Sequence, residues 1–556
     1  MSELHGIGVG RAVAVGPVLR MAEPLAPPSD APLEGSPDAA IESVAAAVAA
    51  VAEDLELRGE VAGGEAKAVL EAQALMAKDP SLQDLVAGRI RDGANPERAV
   101  FDAFEEFRQM LEGLGGYLAE RSADLGDVAQ RIIARLRGVP APGVPTSDEP
   151  FILVATDLAP ADTALLDLDV VLGLVTSEGG PTSHTAILAR ARAIPAIVGV
   201  AGALELRDGQ RVVLDAAAGT VTVDPDQQTL DTAAIRIKEL AERAAAPVTP
   251  GALADGTKVA LLANLGTPAE AAAAVELGAE GVGLFRTEFL FLGHETAPTV
   301  AEQTAQYRAL LEAFRGKKVV VRCLDAGADK PLAFLTPDAE ENPALGLRGL
   351  RALRAHEEVL RDQLTALRDA EAEVARSGEP ADLWVMAPMV ADVAETEWFV
   401  DFAGELGLAT VGVMAEVPSL ALQSEQVLAS CAFVSIGTND LTQYTMAADR
   451  LLGSVASYQD PWHPAVLRLI RMLGEAGAAT GRPVGVCGEA AADPQLAVVL
   501  VGLGVTSLSM TPAALADVRA ELALHDLDHA RELAAAALAA PTAEAARAAV
   551  TAAHVP

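Results

Sequence analysis

A short run of small and polar residues, Gly179-Gly-Pro-Thr-Ser-His184, ends in a histidine that could carry a chemical group. The two glycines reach positive φ at little cost and permit a tight turn, and the proline after them suits a helix start. Thr182 and Ser183 can cap the free amides of a first helical turn. His184 then falls in or beside that turn, where backbone N–H groups and the helix dipole favour an anion. An imidazole is a nucleophile, and this position would stabilise its phosphorylated form, although an isolated histidine more often only caps or packs.

The second group of reactive residues follows short apolar runs in the C-terminal half of the chain. Amphipathic helical segments separate most of these runs, which predicts a repeated strand-then-helix order. Eight such strands fit a closed (β/α) barrel, and an open doubly wound sheet is the alternative. The eight predicted strands are Val259–Ala263, Gly281–Phe285, Lys318–Cys323, Leu383–Ala387, Thr410–Ala415, Phe433–Ile436, Pro483–Cys487 and Thr506–Met510.

Charged residues lie at the carboxyl ends of these predicted strands, where such barrels keep their chemistry. Glu416 and Asp440 offer two hard carboxylate ligands, which suit a Mg²⁺ ion that keeps waters and binds substrate oxygens. Any one of these charges could be an ordinary surface group or ion pair, but their joint placement on one face predicts a site. Four cations could clamp phosphate and carboxylate groups there: Arg286, Arg322, Arg450 and Lys330.

Cys487 ends the seventh predicted strand and is a candidate proton donor. A thiol with an ordinary pKa of ~8.5 is mostly protonated at neutral pH, as a general acid must be. The alternative is a buried small apolar residue, a common role of cysteine. We assign that alternative to Cys323 and Cys431.

These segments resemble Enzyme I, the family of phosphoenolpyruvate-dependent phosphotransferases that starts the bacterial sugar phosphotransferase system. The similarity runs from about residue 4 to residue 545. Related dikinases share a similar G-G-x-x-S-H segment. The motifs that carry the resemblance are Gly179–Arg190, Gly281–Phe291, Glu341–Arg348, Ser435–Tyr444 with Ala448-Asp-Arg450, and Val486–Glu489.

The resemblance implies a reaction and a partner. His184 would take the phosphoryl group of phosphoenolpyruvate, pyruvate would be released, and a histidine of the phosphocarrier protein HPr would receive the phosphoryl group for sugar uptake. Cys487 would protonate enolpyruvate, and Glu416 and Asp440 would ligate Mg²⁺. The barrels of two chains would form a homodimer. The implied substrate-binding residues are Arg286, Arg322, Asn439 and Arg450. Asp440 and Lys330 are further candidates for substrate binding, because they follow the same strand ends.

One position departs from the family pattern. Enzyme I often has Asp-Leu-Thr-Pro in the loop before the histidine segment, whereas this chain has Asp157-Leu-Ala159-Pro160. Ala159 has no hydroxyl to offer a phosphohistidine, so we expect one supporting hydrogen bond fewer and the same nucleophile.

The overall pattern predicts a multidomain α/β protein. We expect an α/β phosphohistidine domain from 1–22 plus 145–225, into which a helical bundle at 36–138 is inserted. By the resemblance, this bundle docks HPr. A linker helix at 226–250 would act as a swivel, because the histidine and the barrel ligands lie in separate predicted domains. A TIM barrel would occupy 251–556 and carry the dimer interface.

Composition limits the partners of the chain. Its formal net charge of −37 would repel nucleic acid and anionic membranes. Three cysteines are too few for a disulfide framework. Neither a signal peptide nor a long apolar span is recognisable. We therefore expect a cytoplasmic protein that does not insert into membranes.

Two other functions fit parts of the pattern. A phosphoenolpyruvate synthase or dikinase would need an additional ATP-binding domain, and 36–138 is too short for one and lacks a phosphate-cradling glycine loop. A catalytically silent scaffold could keep the same fold. The complete set of candidate groups, from His184 to Cys487, argues against a scaffold.

Overall fold

The computed structural model divides the chain into two compact units, Met1–Lys238 and Glu239–Pro556. Several residues with predicted roles lie outside the described residues, among them Ala159, Thr182, His184 and Lys330. The structure describes residues 2–10, 12–22, 25–62, 64–114, 122–139, 141–145, 147–158, 166–167, 170–180, 183, 185–186, 189, 194–244, 246–292, 294, 296–327, 332, 334–335, 340–450 and 452–553.

The first unit contains an eight-stranded sheet with the order β1-β8-β7-β3-β4-β5-β6-β2. Only Gly6 separates β1 from β2, yet these strands lie at opposite ends of the order, so the sheet curls until its edges approach each other. Apolar side chains line both faces of the central strands. The strands are β1 (Ser2–His5), β2 (Ile7–Val9), β3 (Val13–Arg20), β4 (Phe151–Ala155), β5 (Val171–Thr176), β6 (Ala196–Val198), β7 (Arg211–Asp215) and β8 (Thr220–Val223).

The stretch 4–20 alternates small and β-branched residues, which predicts one or two short strands, but the stretch contributes to three. Gly6 and Gly8 explain the difference, because both lie where backbones approach closely. A Cβ atom on Gly8 would lie 1.8 Å from the carbonyl oxygen of Ala216, and one on Gly6 would lie 2.7 Å from that of Val198. Gly6 and Gly8, which the sequence pattern places within one strand, therefore lie where the backbone packs closely against another segment.

Among the described residues between β3 and β4, five helices pack around a separate apolar core. The stripe of Val44, Val48, Val51 and Leu55 faces that core, as its spacing predicts. Asp79 caps the third helix, because its carboxylate accepts from two backbone N–H groups. The helices are α1 (Pro37–Ala62), α2 (Gly64–Ala77), α3 (Pro80–Arg91), α4 (Pro96–Leu114) and α5 (Ser122–Arg137).

The second unit contains a closed parallel barrel whose strands pair in sequence order, with β16 returning to β9. All eight predicted strands are present, and the alternative of an open doubly wound sheet is wrong. The strands are β9 (Ala260–Leu265), β10 (Gly281–Arg286), β11 (Lys318–Arg322), β12 (Asp382–Ala387), β13 (Val411–Ala415), β14 (Val434–Gly437), β15 (Val484–Cys487) and β16 (Ser507–Met510).

Most helices of this unit follow barrel strands and cover the outside of the barrel. Among the described residues, none of the helices is both long and apolar enough to cross a membrane. The remaining helices are α6 (Gln227–Ala244), which spans the boundary between the units, α7 (Ala271–Glu276), α8 (Val300–Ala313), α9 (Leu350–Ala355), α10 (Glu357–Ser377), α11 (Val393–Glu405), α12 (Pro418–Ala421), α13 (Ser424–Ser430), α14 (Thr438–Met446), α15 (Pro464–Thr480), α16 (Pro494–Gly502), α17 (Leu515–Leu522), α18 (Leu527–Ala539) and α19 (Ala543–Ala553).

The barrel strands contribute to two apolar clusters, one outside the barrel and one inside it. The large core lies between strands and helices, whereas a small cluster fills part of the lumen. This division follows from strand geometry, because alternate residues point to opposite faces. The lumen cluster consists of Leu284, Val320, Met386, Met414, Phe433 and Cys487.

Candidate active site at the barrel mouth

The barrel brings the predicted chemical groups to one end. Arg286, Arg322 and Cys487 are the last residues of their strands, and Glu416 directly follows β13. Asp440 lies in the first turn of α14, which follows β14 without a connecting loop. Because the strands are parallel, their carboxyl ends form a single mouth.

Arg322 is buried and surrounded by carboxylates. One of its terminal nitrogens donates to Glu288 Oε1, and the other lies 3.3 Å from Asp325 Oδ2. Burial alone would lower the pKa of Arg322, but Glu288, Asp325, Glu416 and Asp440 together raise it above its ordinary value. The guanidinium is therefore a permanent positive charge in the floor of the mouth.

Arg348 is buried and joins two carboxylates of the mouth. Its Nε and Nη2 atoms donate to the two oxygens of Asp325 at 3.2 and 3.0 Å. Its Nη1 atom donates to Asp440 Oδ1 at 3.0 Å and to Tyr444 Oη at 3.2 Å. Such a forked pair fixes both the position and the plane of Asp325. No role was predicted for Arg348, although it ends one of the family motifs.

Asp440 is held from two sides. Arg348 contacts its Oδ1 atom, and Arg450 Nη1 donates to its Oδ2 atom at 3.1 Å. The backbone N–H of Arg450 also donates to Gln443 Oε1 at 2.9 Å, which ties the loop after α14 to the helix. The structure thus places Arg450 beside the predicted metal ligand.

Glu416 is 1% exposed and lies within the same cluster of charges. Burial, followed by repulsion from Asp440 and Asp325, raises its pKa to about 8. Its Oε1 atom accepts from the backbone N–H of Met389 at 2.6 Å. Met389 has a φ of 57°, an uncommon value for a residue with a side chain.

The donor set fits a hard divalent cation. Glu416 and Asp440 are two buried carboxyl groups whose mutual repulsion a cation would relieve. Among the described residues, no three His, Cys, Asp or Glu side chains are grouped to hold an ion. Glu416 and Asp440 would supply two ligands, and water or substrate oxygens would supply others, the arrangement that Mg²⁺ commonly adopts.

The thiol of Cys487 is 2% exposed and lies below these charges. Its Sγ atom accepts from Ser435 Oγ at 3.4 Å and donates to the carbonyl of Ile436 at 3.4 Å. Burial raises the pKa of Cys487 above its ordinary value despite the opposing effects of Ser435, Arg322 and Arg286. The group is thus a protonated thiol at neutral pH. Cys323 and Cys431 are buried, as predicted.

Arg286 and Asn439 are more accessible. Arg286 stands in a concave mouth, where protein atoms surround it although water still reaches its side chain. This partial desolvation, followed by repulsion from Arg322, lowers its pKa. Asn439 is half-buried, and its amide oxygen faces Gly488, where a Cβ atom would lie 3.3 Å away. The structure therefore gathers Arg286, Arg322, Glu416, Asp440 and Cys487 around one mouth.

Ser183 and Thr185, the described residues on either side of His184 in the sequence, both make hydrogen bonds. Ser183 Oγ accepts from the backbone N–H of Ala186 at 3.3 Å, which is the predicted capping contact. Buried Thr185 donates to Asp157 Oδ1 at 2.7 Å and accepts from the N–H of Leu158 at 3.2 Å. These contacts join the histidine segment to the loop that contains the family departure.

The sequence interpretation gave no role to Glu288, Asp325, Arg348 or Ser435. Each stands within a quoted motif or beside a predicted strand end, so its position was visible. The burial of these four side chains and their hydrogen-bond partners could not be predicted, because both depend on loops that converge from different strands.

Comparisons with known proteins agree with this geometry. The sequence matches three family descriptions: "PEP-utilising enzyme, N-terminal" over residues 5–121, "PEP-utilising enzyme, mobile domain" over 147–219, and "PEP-utilising enzyme, PEP-binding domain" over 240–527. A phosphoenolpyruvate-protein phosphotransferase of Streptomyces coelicolor is 55% identical over 553 residues, which cover 99% of this chain and 98% of that protein.

More distant relatives bear the same name. The proteins of Haloferax volcanii and Bacillus subtilis are 41% and 37% identical, over 88% and 94% of this chain and 87% and 94% of their own lengths. The chain thus belongs to the phosphoenolpyruvate-utilising enzymes, as a phosphotransferase of the phosphoenolpyruvate-protein phosphotransferase family.

Proposed function

We propose that this enzyme moves the phosphoryl group of phosphoenolpyruvate to its own His184 and then to a histidine of HPr, which supplies sugar uptake. The observation that carries the proposal is the convergence of cations, paired carboxylates and a protonated thiol on one barrel mouth. Phosphoenolpyruvate carries a phosphate, a carboxylate and an enol carbon, and the mouth offers a matching group for each.

The cations bind the two anionic ends of the substrate. Arg286 and Arg450 are the accessible guanidinium groups, so they are suited to direct contact with phosphate and carboxylate oxygens. Arg322 adds a buried positive charge below them. Asn439 would orient the substrate through its amide, and Lys330 would add a further cation.

A bound Mg²⁺ would neutralise charge on the substrate oxygens and stabilise the enolate that remains after phosphoryl loss. Glu416 and Asp440 would hold it. The other residues of the network keep that pair in position, because Arg348 and Arg450 each fix one oxygen of Asp440.

Cys487 would complete the reaction by giving its thiol proton to C3 of enolpyruvate, which yields pyruvate. The raised pKa keeps the proton on sulfur until the enolate needs it. Glu416, Arg322 and Arg286 are its charged neighbours. The proton donor thus stands on the same mouth as the groups that would bind the substrate.

His184 would attack the phosphorus and later present the phosphoryl group to HPr. One imidazole cannot face both partners without movement, so the linker helix at 226–250 is proposed as a swivel between the phosphohistidine domain (1–22 plus 145–225) and the barrel (251–556). The helical bundle at 36–138 is the proposed docking site for HPr. We also propose that the enzyme is cytoplasmic and dimerises through the barrel.

Labelled phosphoenolpyruvate tests this function. With Mg²⁺ and without ATP, the wild-type protein should acquire one acid-labile, base-stable label, and added HPr should remove it. H184A should acquire none. H356A is the matched control, because His356 is a half-exposed histidine outside the mouth, and it should be labelled normally.

Two results would contradict the proposal. A requirement for ATP would favour a synthase or dikinase, and an unlabelled wild-type protein would favour a silent scaffold.

A further inference from the structure

A small cavity lies in the barrel lumen below Cys487. Its polar lining comes from strands β11, β14 and β16 and consists of Lys318, Ser435, Ser507 and Ser509. Glycines on β10 and β15 make room for the hydroxyl groups of β16. A Cβ atom on Gly283 would lie 2.4 Å from Ser509 Oγ, and one on Gly485 would lie 2.5 Å from Ser507 Oγ.

The upper end of this polar column is the thiol. Ser435 is 6% exposed, and its hydroxyl already donates to Cys487 Sγ at 3.4 Å. In the barrel register, Ser435 stands opposite Gly485, and Gly485 opposite Ser507. One layer of the lumen therefore carries two hydroxyl groups with no side chain on the strand between them.

The lower end of the column is Lys318, the first residue of β11 and thus at the N-terminal end of the barrel. Its Nζ atom lies 3.4 Å from the ring centre of Trp384 and 5.7 Å from that of Phe433. The side chain is half-buried, so water reaches it. Asp382, opposite Lys318 in the register, is its charged neighbour.

We propose that this column returns a proton to Cys487 from the N-terminal end of the barrel, with Lys318 as the entry point and Ser435 as the last carrier. The inference rests on the proposed role of Cys487 as proton donor. Once C3 of enolpyruvate has taken the thiol proton, the Ser435 hydroxyl gives its proton to the thiolate. Ser435 takes one from water in the cavity, that water takes one from the Lys318 ammonium, and the lysine takes one from solvent.

The energetics favour this direction. Burial lowers the pKa of Lys318 to about 8, and Asp382 opposes the shift only in part. Burial raises the pKa of Cys487. The ammonium is therefore a stronger acid than the thiol, and the transfer is downhill. An ordinary lysine, with a pKa of ~10.4, would be a weaker proton source.

The burial of the Cys487 thiol explains why a proton route separate from the mouth would help catalysis. The thiol is 2% exposed, and the mouth above it is where substrate and product would bind. A route from below reprotonates sulfur while the mouth is occupied. The first turnover uses the proton already on sulfur, so only later turnovers depend on the column.

The first turnover and the later turnovers can be measured separately. Phosphoenzyme and pyruvate are measured in the same quenched samples, with Mg²⁺, phosphoenolpyruvate and excess HPr. In S435A and K318M, the first turnover should match wild type, and steady-state pyruvate formation should fall about tenfold or more. The pH dependence near 8 in wild type should disappear in K318M.

Two further variants separate proton transfer from structure. K318R keeps the positive charge over Trp384 but cannot release a proton, so it should be as slow as K318M. K317M removes the adjacent lysine, whose ammonium contacts Phe314 and the carbonyl of Ala279 outside the lumen, and should behave as wild type.

Steady-state rates at the wild-type level in both S435A and K318R would overturn the proposal, as would equal slowing of the first turnover. Failure of the wild-type protein to form phosphoenzyme would instead contradict the proposed function, so the two failures are distinguishable.

Discussion

Arg348 Nη1 donates to Asp440 Oδ1 across 3.0 Å, although 92 residues separate them in the sequence. The same side chain forks onto Asp325. Arg348 is 1% exposed, so these bonds lie in a region of low polarisability where electrostatic interactions are strong. This arginine therefore joins the loop after β11 to the start of α14.

Replacement of Arg348 should damage both stability and activity. R348M leaves Asp325 and Asp440 buried without their shared cation, and loss of one partner of such a pair costs about 3–5 kcal/mol. R348K should recover only part of this, because an ammonium cannot fork onto Asp325 and still reach Asp440. Urea unfolding measures the free energy, and phosphoenzyme formation measures the activity.

Arg361 provides the matched control for that prediction. It pairs with Glu357 on the surface of α10, with about half of each side chain exposed. R361M should therefore change the free energy of unfolding by less than about 1 kcal/mol. Equal destabilisation by R348M and R361M would contradict the bridging role.

Metal binding should release a proton from Glu416. Its pKa of about 8 means that the metal-free carboxyl group is mostly protonated at pH 7, whereas a bound cation requires the carboxylate. Calorimetric titration in buffers of different ionisation enthalpy should show nearly one proton released at pH 7 and almost none at pH 9. In E416Q this release should vanish and affinity should fall. Proton release that persists in E416Q would assign it to another group.

Lys318 should make the protein more stable as the pH rises above 8. Its folded pKa of about 8 lies below its ordinary value of 10.5, so between these values the unfolded chain binds more protons. The free energy of unfolding therefore rises with pH between about 8 and 10.5. Below pH 8 the folded protein bears the full cost of burying the charged Lys318 ammonium. Urea unfolding across this range should show an increase in wild type and K317M that K318M lacks. Parallel curves for all three proteins would refute the assignment.

Thr185 should hold the segment next to His184. T185V keeps the volume but removes the hydroxyl that bonds Asp157 and the Leu158 N–H, at a cost of about 1–3 kcal/mol. Phosphoenzyme formation should slow, while T185S, which keeps the hydroxyl, should remain close to wild type. Substrate binding to the barrel is the internal control and should be unchanged. An unaffected T185V would mean that Asp157 and Leu158 find other partners.

The strands of the barrel could be predicted because they are buried on both faces. Such strands read as continuous apolar runs rich in branched residues, so Val319–Val321 and Val411–Met414 are recognisable without a fold. The number of strands in residues 2–20 could not be predicted from the sequence pattern. There Gly6 and Gly8 permit close backbone contacts whose partners, Val198 and Ala216, lie far along the chain.

The amino-acid sequence by itself determined which chemical groups stand at strand ends, because parallel strands in a closed barrel must point their carboxyl ends the same way. Arg286, Glu416, Asp440 and Cys487 could therefore be selected before any coordinates were known. Only the tertiary structure decided what surrounds each group: the bridge by Arg348, the pKa of Glu416 and the contact between Ser435 and Cys487. These depend on burial and on charges from separate loops, which strand periodicity does not encode.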